Sequence, residues 1–243
     1  MKKLIVGGCS FTFEDWCWPT HLANSLEVEL VNLAMGSQGN DLIKKTIIAQ
    51  VEEELKTNQP KDLLVGIMWS GVDRWSYRSD NTQAGINWGY TTTNNKIKNP
   101  RSIVSGTNTH WYFMNSHWDN IESTLYYKNF HSHIGSMIET LEDVMFTQLY
   151  LKSKNIKYFM TTYMDIFGNK TNIDLKNNLE TAYLYDNIDF SKFLPIKGCY
   201  EYIVHNYPEG MPKDGGDHPL ESGYNFFTKK VILPFLTSNQ YKN

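Results

Sequence analysis

At 243 residues the chain is long enough for one sizeable core, and a formal net charge of −3 with no basic run argues against nucleic acid or an anionic membrane surface as partner. Cys9, Cys17 and Cys199 are an odd number without C-x-x-C spacing, so neither a zinc ribbon nor a disulfide framework is expected, and a reducing compartment fits best. Aromatic residues make up 14% of the sequence, enough to set rings at half-exposed positions where a flat, sugar-like ligand could stack.

The first stretch, "KLIVGG" (3–8), is an unbroken apolar run closed by glycines, which predicts a strand covered on both faces. It is far too short for a signal-peptide core, and no uncharged apolar stretch reaches the ~18 residues of a membrane span, so a cytoplasmic protein is the expectation. "WPTHLANSL" (18–26) predicts a helix with Pro19 in its first turn, and "VELVNLA" (28–34) a second strand. Residues 40–55 repeat apolar side chains at Leu42, Ile43, Ile47, Ile48, Val51 and Leu55, one face of a helix capped by Asn40 or Asp41. "KDLLVGIMW" (61–69) is a third strand. Strand, helix, strand, helix, strand implies parallel pairing through right-handed crossovers.

Residues 74–116 break this rhythm with a run rich in Asn, Thr, Gly and aromatics, too long for an ordinary connection and so expected to be a functional insertion. Helical periodicity returns over 119–153, a fourth strand follows at 156–164, residues 165–212 are irregular with short helical pieces, and 221–236 predicts a terminal helix. The fold expected is α/β: a three-layer α/β/α sandwich on a doubly wound, flavodoxin-like parallel sheet, one domain over 1–243 with the insertion after the third strand.

Ligands of open α/β sheets bind beyond the carboxyl ends of the strands. The loops there are 8–14, 34–40 and 69–74, joined by "KDGGDHPLESGY" (213–224) before the last helix. A serine on the first loop and a histidine on the last are what nucleophilic hydrolysis needs: a hydroxyl attacks only when an imidazole can take its proton and a carboxylate orients that ring. Read alone, Ser10 is equally a turn or cap residue and His218 a neighbour of a helix start. Cys9, adjacent to Ser10, alternates to the opposite, inward face. "HSH" at 131–133 is a poor chelate if helical, because residues two apart diverge around the axis. Trp69, Trp75, Trp88, Trp111 and Trp118 are expected to pack rather than to bind sugar.

In four places the sequence resembles the SGNH, or GDSL-type, hydrolases. "GCSFT" is similar to the first block, with Ser10 at the nucleophile position and Cys9 where aspartate is commoner. "NLAMGSQGND" resembles the second, which lends a backbone N–H to the oxyanion hole; Gly39 is the first choice and Ser37 the second. "DGGDHP" resembles the last block, with His218 as general base. The third block, Gly-x-Asn-Asp, falls on "WSGVDR" (69–74), where there is no asparagine, leaving Ser70 or Asn40 as stand-ins. The family's aspartate lies three residues before the histidine, at Gly215 here. Asp214 and Asp217 flank that position, and Asp214 is favoured because two glycines after it allow the chain to curl back.

The resemblance implies a serine esterase with an acyl-enzyme, with the Ser10 N–H also in the oxyanion hole and no metal or organic cofactor. The polar insertion points to a short acyl group, such as acetyl, on a carbohydrate or another small ester. Transfer of the acyl group to a glycan, and a non-catalytic glycan-binding or structural module, are the alternatives.

Overall fold

The computed structural model describes residues 1–79, 110–117, 121–168 and 174–238. Strands β1 (Lys3–Gly7), β2 (Glu29–Asn32), β3 (Leu63–Trp69) and, later, Lys157–Thr162 form one sheet. Between them lie α1 (Ser10–Phe13), α2 (Trp18–Leu26) and α3 (Asn40–Glu54). The sheet is parallel throughout in the order β2, β1, β3, then the Lys157 strand.

Alternation along the strands sorts the core into two layers. Ile5, Val65, Ile67, Tyr158 and Met160 face Ile43, Ile47 and Val51 of α3 and Met137, Leu141 and Val144 of the long helix that precedes the last strand. Leu4, Val6, Leu64, Met68 and Phe159 face Trp18 and Leu22 of α2 and Tyr224, Phe227 and Ile232 near the carboxyl terminus. All seven residues of β3 are buried, which is why its sequence reads as a continuous apolar run. Within it Gly66 is a close approach: a Cβ there would lie 2.7 Å from the Phe159 ring and 3.0 Å from Trp18. The α/β/α sandwich expected from the sequence is the fold observed.

The insertion is not structureless in its described part. β4 (Trp75–Ser79) and β5 (His110–Met114) pair antiparallel as a separate ribbon, while residues 80–109 lie outside the described residues. The helix expected over 119–153 is two, α4 (Ile121–Asn129) and α5 (His133–Ser153), because Ser132 caps the second by accepting from the Gly135 N–H at 3.1 Å. His131 therefore precedes the helix and His133 opens it, with ring centroids 6.4 Å apart.

β6 (Lys157–Thr162) has its outer edge covered by residues 193–197: Phe193 makes a parallel bridge to Met160, and Thr162 Oγ1 donates to the Lys197 carbonyl at 2.9 Å. Short helices α6 (Ala182–Tyr185) and α7 (Cys199–Asn206) follow. The carboxyl-terminal helix is α8 (Glu221–Phe227), a π-helical turn at Thr228–Ile232 and α9 (Leu233–Thr237). Among the described residues no helix is long and apolar enough to cross a membrane.

Candidate active site

The carboxyl end of β1 is built to hold Ser10 at the sheet's rim. Gly8 lets the chain turn where a Cβ would strike Thr12 Oγ1 at 2.3 Å, and α1 begins at Ser10 itself. The turn is pinned on two sides: Trp18 Nε1 donates to Thr12 Oγ1 at 3.1 Å, and Asn32 Nδ2 donates to the Thr12 carbonyl at 2.8 Å. Phe11 is fully buried and anchors the turn, while Ser10 keeps part of its surface open. Cys9 points into the core, as alternation predicts.

The other component arrives 208 residues later. His218 lies on the loop before α8, and its ring packs on Phe11 with centroids 4.6 Å apart. Ser10 Oγ is 2.6 Å from His218 Nε2, and His218 Nδ1 is 2.6 Å from Asp217 Oδ1. A carboxylate only accepts, so Nδ1 carries the ring proton and Nε2 is left to accept from the Ser10 hydroxyl. The run is thus O–H donating to nitrogen and N–H donating to carboxylate, the polarity that proton abstraction from Ser10 requires.

The favoured aspartate is not the one that meets the ring. Asp214 Oδ1 accepts from the Gly216 N–H at 3.2 Å, and Gly215 takes φ +83°, so the glycine turn folds Asp214 onto its own loop. Asp217 reaches Nδ1 because residues 217–218 form a bend, not the extended backbone that would turn neighbouring side chains apart. Both groups are open to solvent, with side-chain exposures of 47% for His218 and 66% for Asp217.

The second and third loops differ from expectation in detail. The Gly39 N–H donates to Ser76 Oγ at 2.9 Å in a buried contact, so this first-choice donor already has an acceptor. Ser37 has φ +61°, a left-handed conformation that turns its peptide out of the loop's course, and among the described residues its N–H has no partner. The Asn40 amide is used structurally: Oδ1 accepts from the Ser70 N–H at 2.8 Å, while Nδ2 donates to the Ser70 carbonyl and to Thr140 Oγ1, both at 3.2 Å. Asn40 thereby fastens the end of β3 to α5. Ser70 Oγ accepts from Arg74 Nη1 at 3.1 Å.

Arg74 and Ser76 are the residues sequence reasoning missed. The Arg74 guanidinium lies over the Tyr163 ring, 4.9 Å from its centroid, and Tyr163 meets Phe11 edge to face at 5.2 Å. Burial works against the Arg74 charge, but the net direction of its pKa is upward, with the Asp73 carboxylate among the groups that favour the cation. An arginine five residues past the end of a crevice strand was the available signal. Of the tryptophans, Trp69 is fully buried and Trp75 stacks on Tyr126 at 4.7 Å, whereas Trp88 and Trp118 lie outside the described residues.

A three-layer parallel α/β protein whose sheet rim joins Ser10, His218 and Asp217 in one hydrogen-bonded run is the class that fold and site define together. The chain belongs to a family of unknown function (DUF6071), matched over residues 7–238. No curated protein matches it. Eleven chains of known structure do. One of them, from Desulfitobacterium hafniense DCB-2 and provisionally named a lipolytic protein of the G-D-S-L family, is 15% identical. Its TM-score is 0.49, and the match covers 94% of this chain and 97% of that one.

Proposed function

We propose that this protein is a serine-dependent ester hydrolase of the SGNH type, acting on a short acyl ester of a carbohydrate or a related small molecule. The observation that carries the reading is the Ser10 Oγ to His218 Nε2 contact of 2.6 Å between residues at opposite ends of the chain, continued to Asp217. Ser10 Oγ attacks the ester carbonyl as its proton passes to Nε2. The imidazolium then returns that proton to the leaving alcohol oxygen, giving an acyl-Ser10 ester. Water adds to the acyl carbonyl, loses a proton to Nε2, and the acid departs with Ser10 restored. Asp217 holds the ring in its Nδ1–H tautomer and stabilises the imidazolium. The N–H groups of Ser10, in the first turn of α1, and of Ser37 are the donors best placed for the oxyanion. An open rim around His218 and Asp217 supports a small or polar substrate over a long acyl chain, which would need a continuous apolar channel.

The test is labelling by a fluorophosphonate probe. Labelling of the wild type that disappears in Ser10→Ala supports a live nucleophile, and absence of labelling in both overturns the proposal in favour of a binding module. Acetate release from an acetylated sugar, with and without an added sugar acceptor, then separates hydrolysis from acyl transfer.

A further inference from the structure

The Arg74 guanidinium is held on two sides by neutral groups. Nη1 donates to Ser70 Oγ at 3.1 Å, and the Tyr163 ring lies beneath with its centroid 4.9 Å away. Asp73, its neighbour in sequence, favours the cation through space, while its carboxylate accepts from the Ser116 hydroxyl and makes no ion pair with the guanidinium. Among the described residues no carboxylate comes within 4.0 Å of the guanidinium. Largely desolvated cations of this kind are normally compensated by an anion, and a guanidinium has five N–H donors in a fixed fork, of which, among the described residues, Ser70 occupies one.

Its position is equally specific. Ser70 follows β3 and Tyr163 follows β6, so Arg74 lies at the carboxyl ends of two neighbouring strands of the sheet. A chain of ring contacts from Tyr163 through Phe11 to His218 connects it, two rings removed, to the proposed reaction centre. Near it, the Gly39 N–H is spent on Ser76 and the Asn40 amide on Ser70 and Thr140. Arg74 adds a charged fork suited to a planar, two-oxygen anion.

We propose that Arg74 is a specificity residue that binds a carboxylate on the substrate, making the preferred ligand a carboxylate-bearing small ester such as the half-ester of a dicarboxylic acid or an ester of a sugar acid. This deepens the esterase reading and rests on it only for the identity of the bond that is broken. Recognition itself requires the guanidinium alone.

The experiment separates the two. In Ser10→Ala protein, where no turnover can occur, binding of monomethyl succinate and of dimethyl succinate is compared by calorimetry. The two differ by one methyl group and one charge. At least a tenfold tighter binding of the monoanion is expected, falling to near parity in Ser10→Ala/Arg74→Met and partly kept in Ser10→Ala/Arg74→Lys, whose point charge lacks the fork. Equal binding of the two compounds by Ser10→Ala overturns the inference, as does a preference that survives Arg74→Met. Should Arg74→Met not fold, the first comparison still decides. Charge-selective binding in a protein that fluorophosphonate never labels would keep this inference and sink the esterase reading.

Discussion

The choice of Asp217 over Asp214 is the point at which geometry and sequence spacing part, and it sets up a direct comparison. Asp217→Asn removes the carboxylate that accepts from His218 Nδ1–H, while Asp214→Asn leaves an amide oxygen able to accept from Gly216. Where such a carboxylate is buried, its loss slows chemistry by about ten-thousandfold, because the ring adopts the wrong tautomer and the imidazolium loses its counter-charge. Here the His218 and Asp217 side chains are 47% and 66% exposed, so water can take over part of both roles. Keeping about half the logarithm of the buried effect gives a loss of about a hundredfold for Asp217→Asn, against less than about twofold for Asp214→Asn. The assay is the rate of Ser10 labelling by a fluorophosphonate, with hydrolysis of p-nitrophenyl acetate alongside it. Because both aspartates are exposed, neither change should move Tm, and the rates can be compared directly. The reasoning is refuted if Asp214→Asn slows labelling as much as Asp217→Asn does, or if Asp217→Asn stays within twofold of wild type.

Two further predictions concern stability. Burial pushes the Asp143 carboxyl up to about 6, with Lys44 as its ion-pair partner pulling the other way. Its folded value therefore lies above its unfolded one, so between about pH 4 and 6 the native state holds a proton the unfolded chain has lost. Stability from this group falls as pH rises through that window. Asp143→Asn should flatten the dependence by up to about 3 kcal/mol in denaturant titrations across it, and identical slopes in variant and wild type would contradict the assignment. Gln38 is fully buried and, among the described residues, neither end of its amide is partnered, so Gln38→Met should raise stability by about 1–2 kcal/mol, a Tm increase of a few degrees; a lower Tm counts against it.

What could be read from the sequence was what depends on local period and chain order. β1 after Lys3 and β3 throughout are apolar because both faces are covered, and α3 shows its face because only one side packs. Ser10 and His218 were legible because a strand ending in glycines and a loop opening the last helix both deliver their residues to one rim. Which aspartate meets the ring was not legible: the glycines that free Asp214 to curl back fold it onto the Gly216 N–H, and a bend at 217–218 brings Asp217 to Nδ1. The fate of Gly39 was invisible for a different reason: its N–H is claimed by a hydroxyl 37 residues away, on a ribbon whose strands pair across more than thirty positions. The helix break at Ser132 is a capping effect that an apolar period running through it conceals.

The insertion is better understood as a wall of the site than as an appendage to it. Its first strand starts directly after Arg74, and Ser76 on that strand holds the Gly39 N–H. A Cβ at Gly39 would lie 2.7 Å from the Arg74 carbonyl and 3.1 Å from the Ser76 nitrogen, so the second loop and the ribbon fit only because that side chain is absent. Behind the ribbon, the Tyr127 hydroxyl of α4 donates to the Asp73 carbonyl, and burial pushes that phenol well above its ordinary pKa, keeping it a donor at any physiological pH. Thus the 70–76 segment is held by Asn40, by Tyr127 of α4 and by the Gly39 N–H. Arg74 is carried on a segment fastened at three points, and such support is what lets a guanidinium keep one orientation for a ligand.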